Sequence, residues 1–379
     1  MRRPRACAGI CPRPPPQDSP SPSPVLRLLL LLSQLALASD LLQQSWQQYI
    51  RSYIQEDGRV IDWAAQSSTS SEGQAYALVR AAWIGDQPTF RRVQRWTVDN
   101  LQGGDPTALP AWKWGQREGG WGVIDKNSAS DADQWLAWAL LIAAKRFGNP
   151  DDAALAKILL TKIWEEEVVQ TARGPVLLPG KWGLQGGVAT LNPSYWLIFA
   201  WRDFLKVDPR WESLIDPAYS LMAGCAHPTG LLPDWTWLAV DSGALLPAIP
   251  TEENKNNAGF EAFRVAWTLA AEQKWSQEAR ALPLARPYVA LLDRYREEGR
   301  IPAVISPSGT AITSYDYPGL YGALFPLWQL GRPQEALQLE QARLRSLRAD
   351  HGWGPREDYY AQNWIWLGYA LAELPRPEI

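Results

Sequence analysis

Three short stretches place carboxylates where they could handle a proton. Glu72 stands in Ser71-Glu72-Gly73-Gln74, Asp131 and Asp133 in Ala129-Ser130-Asp131-Ala132-Asp133, and Glu261 in Phe260-Glu261-Ala262-Phe263-Arg264. Each stretch opens an apolar run of helical spacing, so each acid is expected in a first helical turn. Taken singly, such an acid is a helix cap or a partner of the helix dipole. Ser71 to Gln74 reads as a capping box, and Asp133 as completing a cap begun by Ser130. Several carboxyls converging at one end of a fold are also what general acid/base work on a glycosidic bond requires. A helix N-terminus lowers a carboxyl pKa, yet a general acid must stay protonated. Glu72 therefore needs burial and a neighbouring carboxylate to raise it back, and Asp131 is the natural candidate.

Positioning these acids falls to helices. From Leu41 onward, apolar residues recur at helical spacing between Gly, Pro and Asp turns. The pattern predicts helices at 41–54, 72–84, 88–101, 131–147, 151–168, 193–206, 209–222, 258–273, 276–297, 318–330, 333–348 and 357–373. Their character alternates. In the third, Phe90, Val93, Trp96 and Leu101 face one way and Arg91, Arg92 and Arg95 another. The stretch Pro333 to Arg348 reads similarly, with Leu337, Leu344 and Leu347 set against Glu335, Gln341 and Arg345. The even-numbered helices are apolar nearly all round, as in Tyr195 to Trp201 and Trp364 to Tyr369. Amphipathic helices belong outside and all-apolar ones inside.

Alternation over about twelve helices predicts an all-α fold, an (α/α)6 barrel of six hairpins, in one domain spanning 39–379. Inner helices of such a barrel run parallel, so their N-termini share one end. That end would gather Glu72, Asp131, Asp133 and Glu261, with Tyr195 in the first turn of the sixth helix and Asp316 just before the tenth. Short β-prone segments at 58–62, 111–115, 120–124, 176–179 and 231–240 are expected at the same mouth.

Composition narrows the chemistry. A net charge of −3 with no block of Lys or Arg excludes the basic stripe that nucleic acid requires. Of three cysteines, Cys7 and Cys11 lie near the start, which leaves Cys225 alone in the body, and there are only two histidines. A disulfide framework or a Cys/His zinc site cannot be built from these. Carboxylates remain as the working groups, with no metal or other cofactor expected. Residues 1–38 read as an export leader: Arg2, Arg3 and Arg5, a Pro/Ser-rich run, then an apolar run from Val25 ending Ala36-Leu37-Ala38, a small-x-small cleavage site. That run is too short for a membrane span. The 22 tryptophans are the other extreme. Trp112, Trp114, Trp121, Trp182, Trp235 and Trp237 fall between the helices, and indole faces suit the C–H faces of sugar rings.

Taken together, Ser71-Glu72-Gly73-Gln74, Ala129-Ser130-Asp131-Ala132-Asp133 with its following helix, Leu191-Asn192-Pro193-Ser194-Tyr195 and Pro233-Asp234-Trp235 resemble glycoside hydrolase family 8. The nearest branch is that of the periplasmic endoglucanases accompanying bacterial cellulose synthases. Arg59-Val60-Ile61-Asp62, Leu109 to Gly115 and Leu178-Pro179-Gly180-Lys181 fit it too, although Leu136 stands where the family usually has Ile or Met. The resemblance implies an (α/α)6 barrel and an inverting endo-hydrolase of β-1,4-glucan, with a cellulose synthase complex as candidate partner. It implies Glu72 as general acid, Asp131 beneath the distorted sugar and Tyr195 close to the attacking water. Trp112, Trp114, Trp235 and Arg264 join Tyr195 as expected glucan-binding residues. The family's base is usually Asp in an Asp-Ala-x-Arg context, and here that position holds Glu261. This departure leaves a second reading, a glucan-binding accessory protein with little turnover. A polysaccharide lyase on a similar barrel is a third, and a purely structural scaffold would leave the clustered acids unexplained.

Overall fold

The computed structural model describes residues 40–247 and 255–379. Twelve α-helices are found among them: α1 (40–53), α2 (Ser71–Ile84), α3 (Gln87–Asn100), α4 (Ser130–Phe147), α5 (Pro150–Glu167), α6 (Ile198–Phe204), α7 (Ile215–Cys225), α8 (Arg264–Ala271), α9 (Ala281–Glu298), α10 (Pro318–Gly331), α11 (Pro333–Arg343) and α12 (Tyr359–Glu373). The even-numbered helices close a ring: α2 packs on α4, α4 on α6, α6 on α8, α8 on α10, α10 on α12, and α12 back on α2. Outside it, α3 lies against α2, α5 against α4, α9 against α8 and α10, and α11 against α10.

Residue order explains the layering. Every residue of α4 from Ser130 to Ala143 is buried, whereas α3 buries only Thr89, Phe90, Val93, Trp96 and Thr97. A helix apolar all round gains from cover on every side, and one with a single stripe gains only along that stripe. The all-α (α/α)6 barrel expected from the alternation is the fold observed.

Aromatic side chains from the inner helices and from the π-helical turn Glu272–Ser276 that follows α8 cluster at the axis. Trp83, Trp135, Trp138, Phe199, Trp267 and Trp275 touch one another with ring centroids 4.9–6.3 Å apart. On one side of the ring α10 and α12 meet backbone to backbone. A Cβ on Gly368 would collide with the Gly322 carbonyl oxygen, so this crossing requires glycine.

The short strands form antiparallel excursions. β1 (Thr69–Ser70), β2 (Lys113–Arg117) and β3 (Gly120–Asp125) make one sheet, and β4 (Val168–Thr171) pairs with β5 (Gly174–Leu177). β6 (Leu184–Gln185), β7 (Val188–Leu191), β8 (Thr236–Ala239) and β9 (Leu245–Leu246) make a four-stranded sheet, and β10 (Arg348–Ala349) pairs with β11 (Gly352–Trp353). Four of the five expected β segments overlap strands. The fifth, 58–62, makes only isolated bridges, Ile54 with Val60 and Asp62 with Ser68.

Several elements differ from the sequence reading, mostly at the mouth. The sixth helix begins only at Ile198, because Pro193–Tyr195 forms a 3-10 turn capped by Asn192, whose side chain accepts from Ser194 N. Tyr195 therefore precedes α6 rather than lying in its first turn. The eighth helix begins at Arg264, and Glu261 sits in the turn ahead of it. The seventh opens with a 3-10 segment, Pro209–Leu214. The eleventh ends at Arg343, and Leu337 points outward at 52% exposure; Ala336, Leu339 and Glu340 face inward instead. Buried Glu340 is tolerated because Tyr369 Oη and Arg345 Nε both donate to its Oε1. The leader read at 1–38 lies outside the described residues. Among the described residues no helix is long and apolar enough to cross a membrane.

Candidate active site

One arginine gathers the acids. Arg264, the first residue of α8, is 3% exposed. Its Nη1 donates to Asp131 Oδ2 at 3.0 Å, to Tyr76 Oη at 3.3 Å and to Glu72 Oε2 at 3.5 Å. Its Nη2 donates to Ser194 Oγ at 2.8 Å and to Glu261 Oε2. Glu72, Asp131 and Glu261 thus share one buried guanidinium, and Tyr195 lies with its ring 5.1 Å from the Arg264 Cζ. Among the described residues no group of three or more His, Cys, Asp or Glu is arranged to hold a metal ion.

The environment sets the protonation of the acids. Burial pushes Glu72 up to about 8; Arg264 opposes the rise, while the charges of Asp131 and Glu261 add to it. Burial raises Asp131 to about 6 against the pull of Arg264, with Glu261 adding to the rise. The tension noted at the helix N-terminus resolves in favour of a protonated Glu72. At neutral pH one acid of the cluster holds its proton while Asp131, with a backbone bond from Ala132 N at 2.8 Å, is mostly charged.

Local structure explains how each residue arrives. The cap of α2 is Ser70 rather than Ser71: its Oγ accepts from Gly73 N at 3.0 Å. Gln74 does not turn back to close a capping box. It points outward, accepting from Val60 N at 2.6 Å and donating to Thr97 Oγ1 at 2.9 Å, so it ties the loop before α2 to α3. Glu72 is left free of capping work, and its carboxyl meets Arg264 Nη1. In α4 the cap position is Ala129, which has no side chain to donate or accept, and Ser130 Oγ finds no partner. Gln134, one turn into α4, donates to Tyr195 O at 2.8 Å and accepts from Trp201 Nε1 at 2.7 Å, which fixes the turn carrying Tyr195 to the helix carrying Asp131.

Asp133 does not complete a cap either. It is 1% exposed, and neither oxygen accepts from a backbone amide of the first turn. It faces Glu167, also fully buried, whose Oε1 accepts from Ser128 Oγ. Burial, reinforced by Glu167, holds Asp133 well above the usual carboxylate range, and burial raises Glu167 too. Two adjacent buried carboxyls cannot both ionise cheaply, so the pair keeps a proton. In the unfolded chain an Asp loses its proton near pH 4, so the folded state is the more protonated one above that value. The pair's contribution to stability is therefore fullest at low pH and declines as pH rises toward the raised folded values. Asp133→Asn should flatten this decline: Tm measured from about pH 4 to 8 should fall less in the variant than in the parent.

Some of these contacts escape a sequence reading. Tyr76 has a signal in its spacing, one turn after Glu72. Asn192, whose Nδ2 donates to Glu261 Oε2 at 3.1 Å, and Ser194, whose Oγ lies 3.4 Å from the same atom, sit in the Leu191 to Tyr195 motif but gave no hint of touching Glu261. Asp316 is engaged elsewhere, by Tyr321 Oη at 2.8 Å and Arg343 Nη1 at 3.3 Å.

The tryptophans divide by accessibility. Trp112 is 40% exposed. Trp235 is half-buried, its ring 5.8 Å from that of Tyr195 and 6.0 Å from that of Trp182. Trp114 is sandwiched: it stacks on Trp121 at 5.2 Å, meets Trp96 edge-on and carries the Arg59 guanidinium at 4.4 Å. Trp237 is buried in β8 at 2% exposure and offers no free face.

Comparison with known proteins bears on the same residues. The model of glycosyl hydrolases family 8 matches residues 22–286, a span that contains every acid gathered at Arg264. An endoglucanase of Escherichia coli (strain K12) is 34% identical over 272 residues, 70% of this chain and 73% of the relative. An endoglucanase of Salmonella typhi is 36% identical over 253 residues, 65% of this chain and 67% of the relative. Among solved structures, the endo-1,4-D-glucanase of Vibrio fischeri ES114 superposes with a TM-score of 0.75 at 28% identity, over 86% of this chain and 93% of that one. A barrel of alternating helices, three acids on one buried arginine and a family match across the span that holds them lead to one assignment: the chain belongs to glycosyl hydrolase family 8.

Proposed function

We infer that the protein is an endo-β-1,4-glucanase that cleaves cellulose-type chains with inversion, Glu72 acting as general acid and Glu261 as general base. The observation that carries this reading is Glu72, held protonated to about 8 beside a charged Asp131 on a shared arginine. Glu72 protonates the departing glycosidic oxygen. Asp131, below the sugar at the cleavage point, stabilises positive charge developing on the ring. Glu261 draws a proton from water on the opposite face. Glu72 contacts Nη1 of Arg264 and Glu261 contacts Nη2, so the two carboxyls meet different nitrogens of one guanidinium; a water-mediated inversion needs them roughly 6.5–9.5 Å apart. Trp112 and Trp235 serve as stacking platforms with Tyr195 near the water, and Trp114 stiffens the hairpin beside Trp112.

The test is release of reducing ends from carboxymethylcellulose, with the first-formed anomer followed by NMR. A new α-anomer supports inversion; a β-anomer rejects it. A pH dependence follows from the acid: kcat/KM should fall as pH rises through about 8, where Glu72 loses its proton. A profile flat across that range would remove Glu72 from the acid role.

The export-leader reading of residues 1–38 supports a place in the periplasm or beyond, and the motif resemblance to the endoglucanases that accompany bacterial cellulose synthases supports work alongside one. The reading as a binding protein without turnover is not favoured, because the acid is already poised.

A further inference from the structure

Glu261 presents an unusual positioning problem. Its backbone lies in a turn, not in α8, and α8 has no side-chain cap of its own. A group that must place a water is useful only if held within about 0.5 Å of its working position. A turn with no local cap does not supply that.

The missing cap comes from a distant part of the chain. Asp234 Oδ1 accepts from Gly259 N at 2.9 Å and from Ala262 N at 2.7 Å, two amides that flank Glu261 on either side. This is the work of an N-cap side chain, performed from a loop more than twenty residues upstream. The backbone reinforces it. Asp234 N donates to Asn257 O at 2.7 Å, Trp235 N donates to Lys255 O at 2.9 Å, and Ala258 bridges to Ile305. Gly259 makes the approach possible: a Cβ there would stand 2.7 Å from Asp234 Oδ2, closer than real packing allows. Asp234 also adjoins Trp235, so one dipeptide joins the sugar platform to the turn of the base.

We propose that Asp234 is a positioning residue for catalysis, bridging the amides of Gly259 and Ala262 to hold Glu261 where it can place the attacking water. This rests on the reading of Glu261 as base. An aspartate at position 234 is needed as an acceptor, so an amide at the same place should serve nearly as well.

The experiment compares the full chain with Asp234→Ala, Asp234→Asn and Gly259→Ala. Hydrogen exchange of a peptide covering residues 257–264 is measured alongside kcat and KM on a soluble cello-oligosaccharide. Misplacement of a reacting group by about 1 Å is worth on the order of 100-fold in rate. Asp234→Ala should therefore lose about that much in kcat with KM changed by no more than about threefold, and its 257–264 peptide should exchange faster. Asp234→Asn should recover most of the loss, because its side-chain oxygen accepts the same two bonds. Gly259→Ala, which leaves every acid in place, should show the same two changes as Asp234→Ala. The proposal is overturned if Asp234→Ala leaves exchange at 257–264 unchanged, if kcat is unaffected, or if Asp234→Asn is as slow as Asp234→Ala. Exchange does not depend on turnover. A parent that cleaves no glucan would sink the assignment of Glu261 as base, while the exchange data would still report on the turn.

Discussion

Glu72→Gln should stop hydrolysis of carboxymethylcellulose, lowering kcat by roughly 10²–10⁴-fold, the usual worth of a positioned general acid. The glutamine keeps the shape and a carbonyl oxygen for Arg264 Nη1, but has no proton to give the departing oxygen. Because burial already favours the uncharged acid, an uncharged amide should cost the fold little, and Tm at neutral pH should hold or rise. The same variant tested on a cellobiosyl fluoride separates chemistry from damage. Fluoride leaves without protonation, so that substrate should be cleaved at a rate much closer to the parent's. Loss on both substrates, or on neither, would mean that Glu72 does something other than protonate the leaving group.

Glu261 carries the second large effect. Glu261→Ala removes the proton acceptor and its bonds with Arg264 Nη2, Asn192 Nδ2 and Ser194 Oγ, and kcat should fall by roughly 10²–10⁴-fold. Glu261→Asp keeps the charge but withdraws it by one methylene, a shift of about 1 Å that should leave an intermediate rate, on the order of 100-fold below the parent. Added azide should accelerate the Ala variant, because a small anion needs no base, and the product should be an α-glycosyl azide. Full activity of Glu261→Ala would place the base elsewhere. A β-azide would mean attack from the wrong face for inversion.

The architecture was legible because burial is written in the residues of each helix. Phe90, Val93 and Trp96 form a stripe, α4 is apolar all round from Trp135 to Ala143, and this contrast sorts the helices into two layers. Glu72 and Asp131 were legible for the same reason, since each opens an inner helix. What escaped were features set by long-range partners. The cap of α2 fell on Ser70 because Gln74 is recruited by Val60 and Thr97. Glu261 and Tyr195 fell ahead of their helices because Asn192 and Asp234 bond the backbone there in another shape. Asp133 looks like a cap in a five-residue window, and only α5 reveals that it faces Glu167. Local pattern names a helix and its buried side; contacts across dozens of residues decide where its first turn starts.

The aromatic side chains that fill the barrel axis also divide the protein's optical behaviour. Indoles with centroids about 5.6–5.7 Å apart have coupled electronic transitions, so Trp83, Trp135, Trp138 and Trp267, all buried, absorb and emit as a group shielded from dissolved quenchers. The rim tryptophans Trp112, Trp121 and Trp182, exposed by 37–47%, form a second population open to iodide or acrylamide. A sugar chain lying on the rim would shield only the second population. Loosening of the helical ring would disturb the first, in near-ultraviolet circular dichroism, while helix content was still intact. Without any added label, the molecule carries one signal for an occupied cleft and another for a closed ring.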